Sequence, residues 1–540
     1  MTSYLSFLII PLLLVPIILQ YNYQWSFTQF PQYTFSIYSV YLLIYTTIQY
    51  VLSYLNNRVT HSRTYSTEAS VPLCNIMVVG WKEEPEYFRN CLESIHTTLC
   101  NLYNIHKIFV IIDGDAPDDH YMINIFLQVF NDTSIIKSTH IHIDSDTNLE
   151  QLVHSPDYQN HNVICITQTH SGKRHAMYTG FKLSLLDRDF FDLQTILCTD
   201  SDTVLSPDCL QRMLTVSLND TSESISGVSG ALGIYNRYES FISFMSSLRY
   251  FYAFNIERAY QSYNGYLLCI SGPIGLYRLK YIEKILETWK NQSFLGKPCT
   301  YGDDRHLTNQ ILSLNTRVVF TPTAYAETET PSAFYRFYQQ QTRWNKSSIR
   351  EFLWTLPLVD HFSLFLTIDL VYTLLFPFIV IGWLLYLLFA GTIYQLGLYS
   401  CMFLGIGFIK GVYATIVYKQ YECVFYFLYG YIYIGITFPS RLWALFNITD
   451  TNWGTSMRLF KNQIQSCSSD IIAPVLWNSI LLSGLAFSFY RNYHEPLQHY
   501  LLFIIPHSIS ALSFIFVHFY INVKIQWYRN IDWDKFIKVF

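Results

Sequence analysis

The first charged residue in this chain is Arg58, and residues 371–409 again contain no Asp, Glu, Lys or Arg. Charge-free apolar stretches of this length constrain the fold more than any motif. About 20 apolar residues in a helix cross roughly 30 Å of hydrocarbon, whereas a soluble domain would have to hide them. Charged residues make up 14% of the 540, well below the roughly 25% of soluble globular proteins, and aromatics reach 18%. These figures exclude a disordered or wholly soluble chain and imply a polytopic membrane protein. A formal net charge of −4 gives no basic field for nucleic acid. The eleven cysteines are scattered without a CxxC pair and read as reduced thiols facing the cytoplasm.

Six spans are expected: Tyr4–Gln20, Phe35–Leu55, about 362–388, about 393–418, Ile471–Tyr490 and Leu497–Val523, with a turn at Ala390-Gly391. The first has neither the basic start nor the small-residue cleavage site of a signal peptide. Cys423–Phe446 is apolar enough to span, but basic residues prefer the cytoplasmic side. If it dips in and returns, Arg458, Lys461, Lys524, Arg529, Lys535 and Lys538 all fall inside and only Arg491 lies outside. It is therefore expected to re-enter, with both termini cytoplasmic. Asp369 and Lys410 lie at similar depth in adjacent antiparallel spans and are expected to pair or to line a polar conduit.

From Arg58 to about Asp360 the charge density becomes that of a soluble α/β domain, joined by the polar linker 56–70. Apolar runs at 75–79, 108–112, 163–166 and 195–198 alternate with mixed segments, the pattern of β-α-β units. Three of them run into acids: Glu83-Glu84, Asp113-Gly114-Asp115 and Asp200-Ser201-Asp202. Parallel strands deliver such residues to one crevice at their carboxyl ends.

Alternate residues of an extended chain face the same side, so Asp200 and Asp202 suit one Mg²⁺ or Mn²⁺ ion. Lys173 and Arg174, after Ser171-Gly172, offer cations to a diphosphate. Asp303 and Asp304 open an expected helix, where one serves as general base. Phe334–Phe352 is amphipathic, with Arg336, Arg343 and Arg350 in one stripe. It reads as an interfacial helix, with Arg343 clamping a leaving diphosphate and Trp344 giving a sugar an apolar face. His140 and His142 lack the further ligands of a zinc site and read as structural.

In order, GWKEEP (80–85), DGD (113–115), SGKR (171–174), TDSDT (199–203), SGP (271–273), GDDRHLTN (302–309), QQQTRW (339–344) and WGTS (453–456) resemble the processive family-two glycosyltransferases. Among these the chain is most similar to the hyaluronan synthases. The resemblance implies an α/β GT-A domain inserted in an α-helical multi-pass domain of the plasma-membrane type. Its divisions would be 1–57, 58–330, 331–360 and 361–540. It implies alternating use of cytoplasmic UDP-GlcNAc and UDP-GlcA, with Mn²⁺ or Mg²⁺, and extrusion of the nascent polysaccharide through a lipid-embedded channel; a monomer is compatible with it. Glu83 and Asp113 would contact uridine, Lys173 the diphosphate, Asp200 and Asp202 nucleotide and metal, and Asp304 would be the base. Gln340, Arg343 and Trp344 would bind diphosphate and acceptor, Cys269, Ser271, Gly272 and Pro273 would line the acceptor position, and Trp453 and Thr455 would gate the nucleotide. Trp81 stands where the family commonly has Tyr, and Asp115 where it has Asn. Chitin synthases resemble QRRRW and EDR where this chain has QQTRW and GDDR, which favours hyaluronan over a homopolymer from UDP-GlcNAc alone. A transporter with a nucleotide-binding insert would explain the spans but leave Asp304 and Trp344 without a task.

Overall fold

The computed structural model describes residues 36–61, 73–102, 104–131, 133, 135–144, 147–218, 224–361, 363–450 and 468–529. The expected span Tyr4–Gln20, most of the linker 56–70 and the WGTS segment with Trp453 and Thr455 lie outside these residues.

All four apolar runs of the soluble insert become strands. Among the described residues the main sheet has nine: β1 (Leu73–Gly80), β2 (Ile105–Ile112), β3 (Ser138–Ile143), β4 (Val163–Gln168), β5 (Leu193–Asp200), β6 (Val204–Leu205), β7 (Ile225–Ile234), β8 (Gly275–Arg278) and β9 (Arg317–Thr328). Their order is β3-β4-β2-β1-β5-β8-β7-β9-β6. The strands β3, β4, β2, β1 and β5 are mutually parallel, and β1, β2, β4 and β5 are largely buried on both faces, which is why those four read as apolar runs, whereas the edge strand β3 (Ser-Thr-His-Ile-His-Ile) does not. The register aligns Gly80 with Ile112, Val79 with Asp200, and Ile112 with Thr167, so the strand ends that carry acids finish along one edge. Strand β8 is antiparallel to both β5 and β7, a mixed arrangement the alternating pattern does not foretell.

Six helices of this region and its flank matter for the site. These are α1 (Ser36–His61), α2 (Lys173–Arg188), α3 (Phe241–Tyr252), α4 (Asp303–Ser313), α5 (Phe334–Thr355) and α6 (Leu364–Phe389). Beyond them the membrane region continues with α7 (Ile393–Tyr418), α8 (Ser468–Arg491) and α9 (Leu497–Arg529). Among the described residues five segments are long and apolar enough to cross a membrane: Leu364–Phe389, Ile393–Tyr418, Tyr421–Phe446, Ile471–Arg491 and Leu497–Gln526. The span expected at Phe35–Leu55 is helical as α1 but is not among the five, because Tyr, Thr, Ser and Gln dilute its hydropathy.

Among the described residues the helices meet the α/β domain at one end of the bundle. There Asn56 of α1 donates to the Phe320 carbonyl (3.4 Å), Tyr266 to the Phe365 carbonyl (3.2 Å), and Tyr418 to the Asn255 carbonyl (3.4 Å). At the far end Arg491 binds the carbonyls of Phe389 and Gly391, and Glu495 accepts from the amides of Ile393 and Tyr394 at 3.2 and 3.3 Å. Tyr421–Phe446 is irregular, passing from a 3₁₀ helix through a π turn to Phe438–Phe446. Both of its ends touch the domain side: Glu422 accepts from Tyr238 (2.5 Å), and just beyond its other end Asp450 meets Lys346 (3.1 Å).

The expected pairing of Asp369 with Lys410 does not occur. Asp369 is buried on α6 and accepts from Tyr45 of α1 and from Gln261 (2.6 Å), which lies in the short helix Ala259–Tyr263. Lys410 instead feels Glu257, which is bound to Arg249 at 2.9 Å. Equal depth in the membrane does not fix azimuth, and α1 together with a short helix of the α/β domain supplies the partners that depth alone assigned to a neighbouring span.

Candidate active site

One cavity of about 880 Å³ opens where the carboxyl ends of β1, β2 and β5 face α5 and the membrane helices. Of the expected site residues that are described, it gathers Glu83, Asp113, Lys173, Asp200, Asp202, Cys269, Ser271, Gly272, Pro273, Asp303, Asp304, Gln340, Arg343 and Trp344. Arg174 is the exception.

At the nucleotide end, Asp113 follows β2 and is almost fully buried. Its carboxylate accepts from the amides of Ser171 (3.1 Å) and Gly172 (2.8 Å), from Gln168 (3.0 Å), and pairs with His170 at 2.8 Å. Gly172 sits at φ +96°, so this carboxylate holds a loop that only glycine relaxes into, and thereby aims the first turn of α2. His170 stacks on Trp81 at 3.9 Å across the cavity wall. Glu83 accepts from Ser201 (3.0 Å) and the Glu84 amide (3.0 Å), joining the ends of β1 and β5.

Lys173 pairs with Asp200 at the centre. Gly272 allows this approach, since a Cβ there would lie 3.2 Å from the Lys173 ammonium and 3.5 Å from Asp200. Burial first, then the neighbouring Asp202 and Asp304, push the Asp200 carboxyl up against the lowering pull of Lys173. Asp202 is oriented by the hydroxyls of Thr203 and Thr328, each at 3.1 Å. Two carboxylates crowded in this way form a donor set that fits a hard divalent cation. Among the described residues no group of three or more His, Cys, Asp or Glu could hold a metal, so phosphate and water oxygens would have to complete the shell.

Asp303 and Asp304 open α4 but diverge. Asp303 is bound by Arg174 at 2.7 Å, while Arg174 also donates to the Trp289 carbonyl (3.1 Å) and lies over the Trp289 ring. Arg174 is therefore a buried strut and not a diphosphate ligand as expected, and Asp303 spends its carboxylate on it. Asp304 is half-buried on the cavity wall, accepting from the Arg305 amide at 2.8 Å. Thr308, one turn along, donates to the Asp304 carbonyl (2.7 Å) and receives the Ile270 amide (2.9 Å), fixing the Cys269–Pro273 loop to α4. Burial pushes the Cys269 thiol well up, so it lines the cavity as a neutral group.

Helix α5 roofs the cavity. Arg336, Gln340, Arg343 and Trp344 face it, but Arg350, the third member of the arginine stripe, turns away to the Tyr301 carbonyl (2.5 Å). Trp344 is 39% exposed and lies 6.4 Å from Tyr250, which makes an aromatic wall at the membrane end. The sequence reading missed Arg249, Tyr250, Arg258 and Tyr429 in that wall. Nothing but their arginine and tyrosine chemistry marks them in the sequence, and α3 is amphipathic like any core helix. Trp453 and Thr455 are outside the described residues, but Asp450, just before them, is held by Lys346 and by Tyr301, whose hydroxyl donates to its carbonyl at 2.9 Å. His140 and His142 share the Thr167 hydroxyl at 2.9 and 3.1 Å on β3, away from the cavity.

The family model described as chitin synthase matches residues 176–471. Hyaluronan synthase 3 of Xenopus laevis is 33% identical over 500 residues, covering 90% of this chain and 86% of the relative. Hyaluronan synthase 2 of Xenopus laevis is 35% identical over 489 residues, covering 88% and 86%. A mannosyltransferase from Pyrobaculum calidifontis, solved with GDP-Man and Mn²⁺, overlays at a TM-score of 0.38 with 13% identity, covering 80% of this chain and 95% of that one. An overlay that loose carries no weight for the chemistry.

Proposed function

The chain belongs to the hyaluronan synthase family of membrane glycosyltransferases, and from that membership we propose that it alternately adds GlcNAc and GlcA from cytoplasmic UDP-sugars and extrudes the polymer. The observation that carries this reading is the meeting of Lys173, Asp200, Asp202, Asp304, Arg343 and Trp344 on one cavity, at the seam between the sheet and the membrane helices.

In the proposed mechanism, Glu83 and Asp113 shape the uridine end, and Lys173 and Arg343 take up the charge that develops on departing UDP. Asp304 accepts the proton of the acceptor hydroxyl as that oxygen attacks the anomeric carbon from the face opposite UDP, inverting it. Trp344 offers an apolar ring to the acceptor sugar, while Cys269 and Ser271-Gly272-Pro273 bound its other side. Asp200 and Asp202 would hold Mn²⁺ or Mg²⁺, which supplies further neutralisation of the diphosphate. Trp453 and Thr455 are proposed to close over the nucleotide. Tyr250, Arg249 and Tyr429 lie on the route by which the chain would leave toward the bundle. We take Tyr421–Phe446 as re-entrant and both termini as cytoplasmic, a reading supported by the contacts of both its ends with the domain side.

The test uses purified protein in detergent with Mn²⁺ and labelled UDP-GlcNAc, with and without UDP-GlcA, following UDP release and polymer size. High-mass, hyaluronidase-sensitive polymer only with both donors is expected. Polymer from UDP-GlcNAc alone would move the assignment to a chitin-type synthase, in keeping with the family model over 176–471.

A further inference from the structure

Behind the cavity, α4 and α5 are joined by a buried polar cluster that the mechanism above does not use. Glu351, two turns beyond Trp344 on α5, and His306, two residues beyond Asp304 on α4, pair at 2.9 Å with side chains 2% and 1% exposed. The other oxygen of Glu351 accepts from Gln292 (2.7 Å) and from Arg350 (3.4 Å), and Asn309 adds a bond at 3.2 Å. The second ring nitrogen of His306 meets Gln310 at 2.8 Å, and Trp354 packs against the ring at 4.9 Å. A charge buried to this degree is costly unless fully satisfied, and an apolar pair would hold two helices together at less cost. What the ionic cluster adds is direction: its bonds fix rotation and register between α4 and α5, which apolar contact leaves loose.

That register matters because the two helices carry opposite halves of the chemistry. Asp304 faces the cavity from the first turn of α4, while Arg343 and Trp344 face it from α5, roughly 10 Å along the axis from Glu351 at 1.5 Å per residue. We propose that His306 and Glu351 are positioning residues for sugar transfer, holding the base and the acceptor platform as one rigid unit. This rests on the reading of Asp304 as the base. Neither residue touches the cavity, so donor binding is independent of them.

The test compares full-length wild type with His306→Gln, Glu351→Gln and the double variant in detergent. It measures kcat, donor KM, UDP inhibition and the thermal midpoint, with the donor or donors the wild type turns over. A wild type that polymerises UDP-GlcNAc alone would refute the donor assignment and leave this comparison intact. Each single change is expected to lower kcat at least tenfold, with KM and UDP inhibition within twofold, and the double variant should be no slower than the slower single. Glu351→Gln is isosteric; Asn309→Ala, which removes one bond to Glu351 without touching charge, is the second variant, with kcat expected two- to fivefold lower. Unchanged kcat per folded molecule with a lowered thermal midpoint would make the cluster merely structural and overturn the proposal. So would a rise in KM at constant kcat, or losses that multiply in the double variant.

Discussion

Gly302 is where the loop before α4 passes under α5, and replacing it with alanine tests whether that contact sets the site. The residue sits at φ +79°, where a side chain costs about 1–2 kcal/mol. An added Cβ would also fall 2.1 Å from the Ser347 hydroxyl, 2.8 Å from the Ser347 Cβ and 2.8 Å from an Arg350 guanidinium nitrogen. The hydroxyl can rotate aside, but the Cβ of Ser347 cannot, and ordinary contact begins at 3.4 Å. Helix α5 must therefore move by about half an ångström, with an overpacking cost of roughly 1–3 kcal/mol. Since a misplacement of about 1 Å can cost on the order of 10²-fold in rate, Gly302→Ala should lower kcat roughly tenfold. Gly296 supplies the control: it has φ +77° and no atom within 4 Å of an added Cβ, so Gly296→Ala carries the backbone strain without the collision. Thermal midpoints and polymer synthesis rates of both variants in detergent separate the two terms. If Gly302→Ala loses only the stability that Gly296→Ala loses and keeps full kcat, the seating of α5 on this loop does not set the geometry of transfer.

Asp304→Asn should lower polymer synthesis about 10²- to 10⁴-fold, the range of general-base catalysis, with UDP binding by calorimetry unchanged; retained synthesis would remove Asp304 as base. Asp369→Lys combined with Lys410→Asp should be no better folded than the worse single variant, because Asp369 is bonded to Tyr45 and Gln261; recovery of the thermal midpoint in the swap would contradict that assignment. Burial raises the Glu351 carboxyl, but His306 and Arg350 outweigh it and hold it near about 2, below its ordinary 4.5. A depressed carboxylate stabilises the fold fully above the unfolded pKa, and the gain, about 3 kcal/mol at 1.36 kcal/mol per pH unit, is lost as pH falls from 4.5 through 2. The thermal midpoint of the wild type should fall across that window more steeply than that of Glu351→Gln; parallel curves would refute the linkage.

The strands were legible because a parallel sheet buried on both faces leaves uninterrupted apolar runs, and the acids Glu83, Asp113 and Asp200 punctuate their ends. The amphipathic Phe334–Phe352 likewise appears as α5, since charge and aromatic spacing record its two faces. What did not come through is whatever depends on azimuth or on distant partners. Asp369 looked like a match for Lys410 by depth, but its hydrogen bonds come from residues 324 and 108 positions away. The antiparallel β8 is four residues long and lies between β5 and β7 through pairings that no local pattern announces. The cluster around Glu351 is assembled from α4, α5 and Gln292, and its members are ordinary polar residues until they are buried together.

Two doublets show how adjacency in sequence becomes opposition in space. Lys173-Arg174 opens α2 and Asp303-Asp304 opens α4. Consecutive residues on a helix project about 100° apart, so the two members of each doublet take different directions. The structure uses the mismatch. Arg174, which lies outside the cavity, and Asp303, whose carboxylate it holds, meet each other at 2.7 Å and are sealed by Trp289, whose indole N–H donates to the Asp303 carbonyl at 3.0 Å. That back-to-back pair fixes the starts of α2 and α4 relative to one another, and so leaves Lys173 and Asp304 facing the same cavity from two walls. A cation for the departing diphosphate and a carboxylate for the incoming hydroxyl must lie on opposite sides of the reacting carbon, and two helix starts bolted together through their far faces provide that separation.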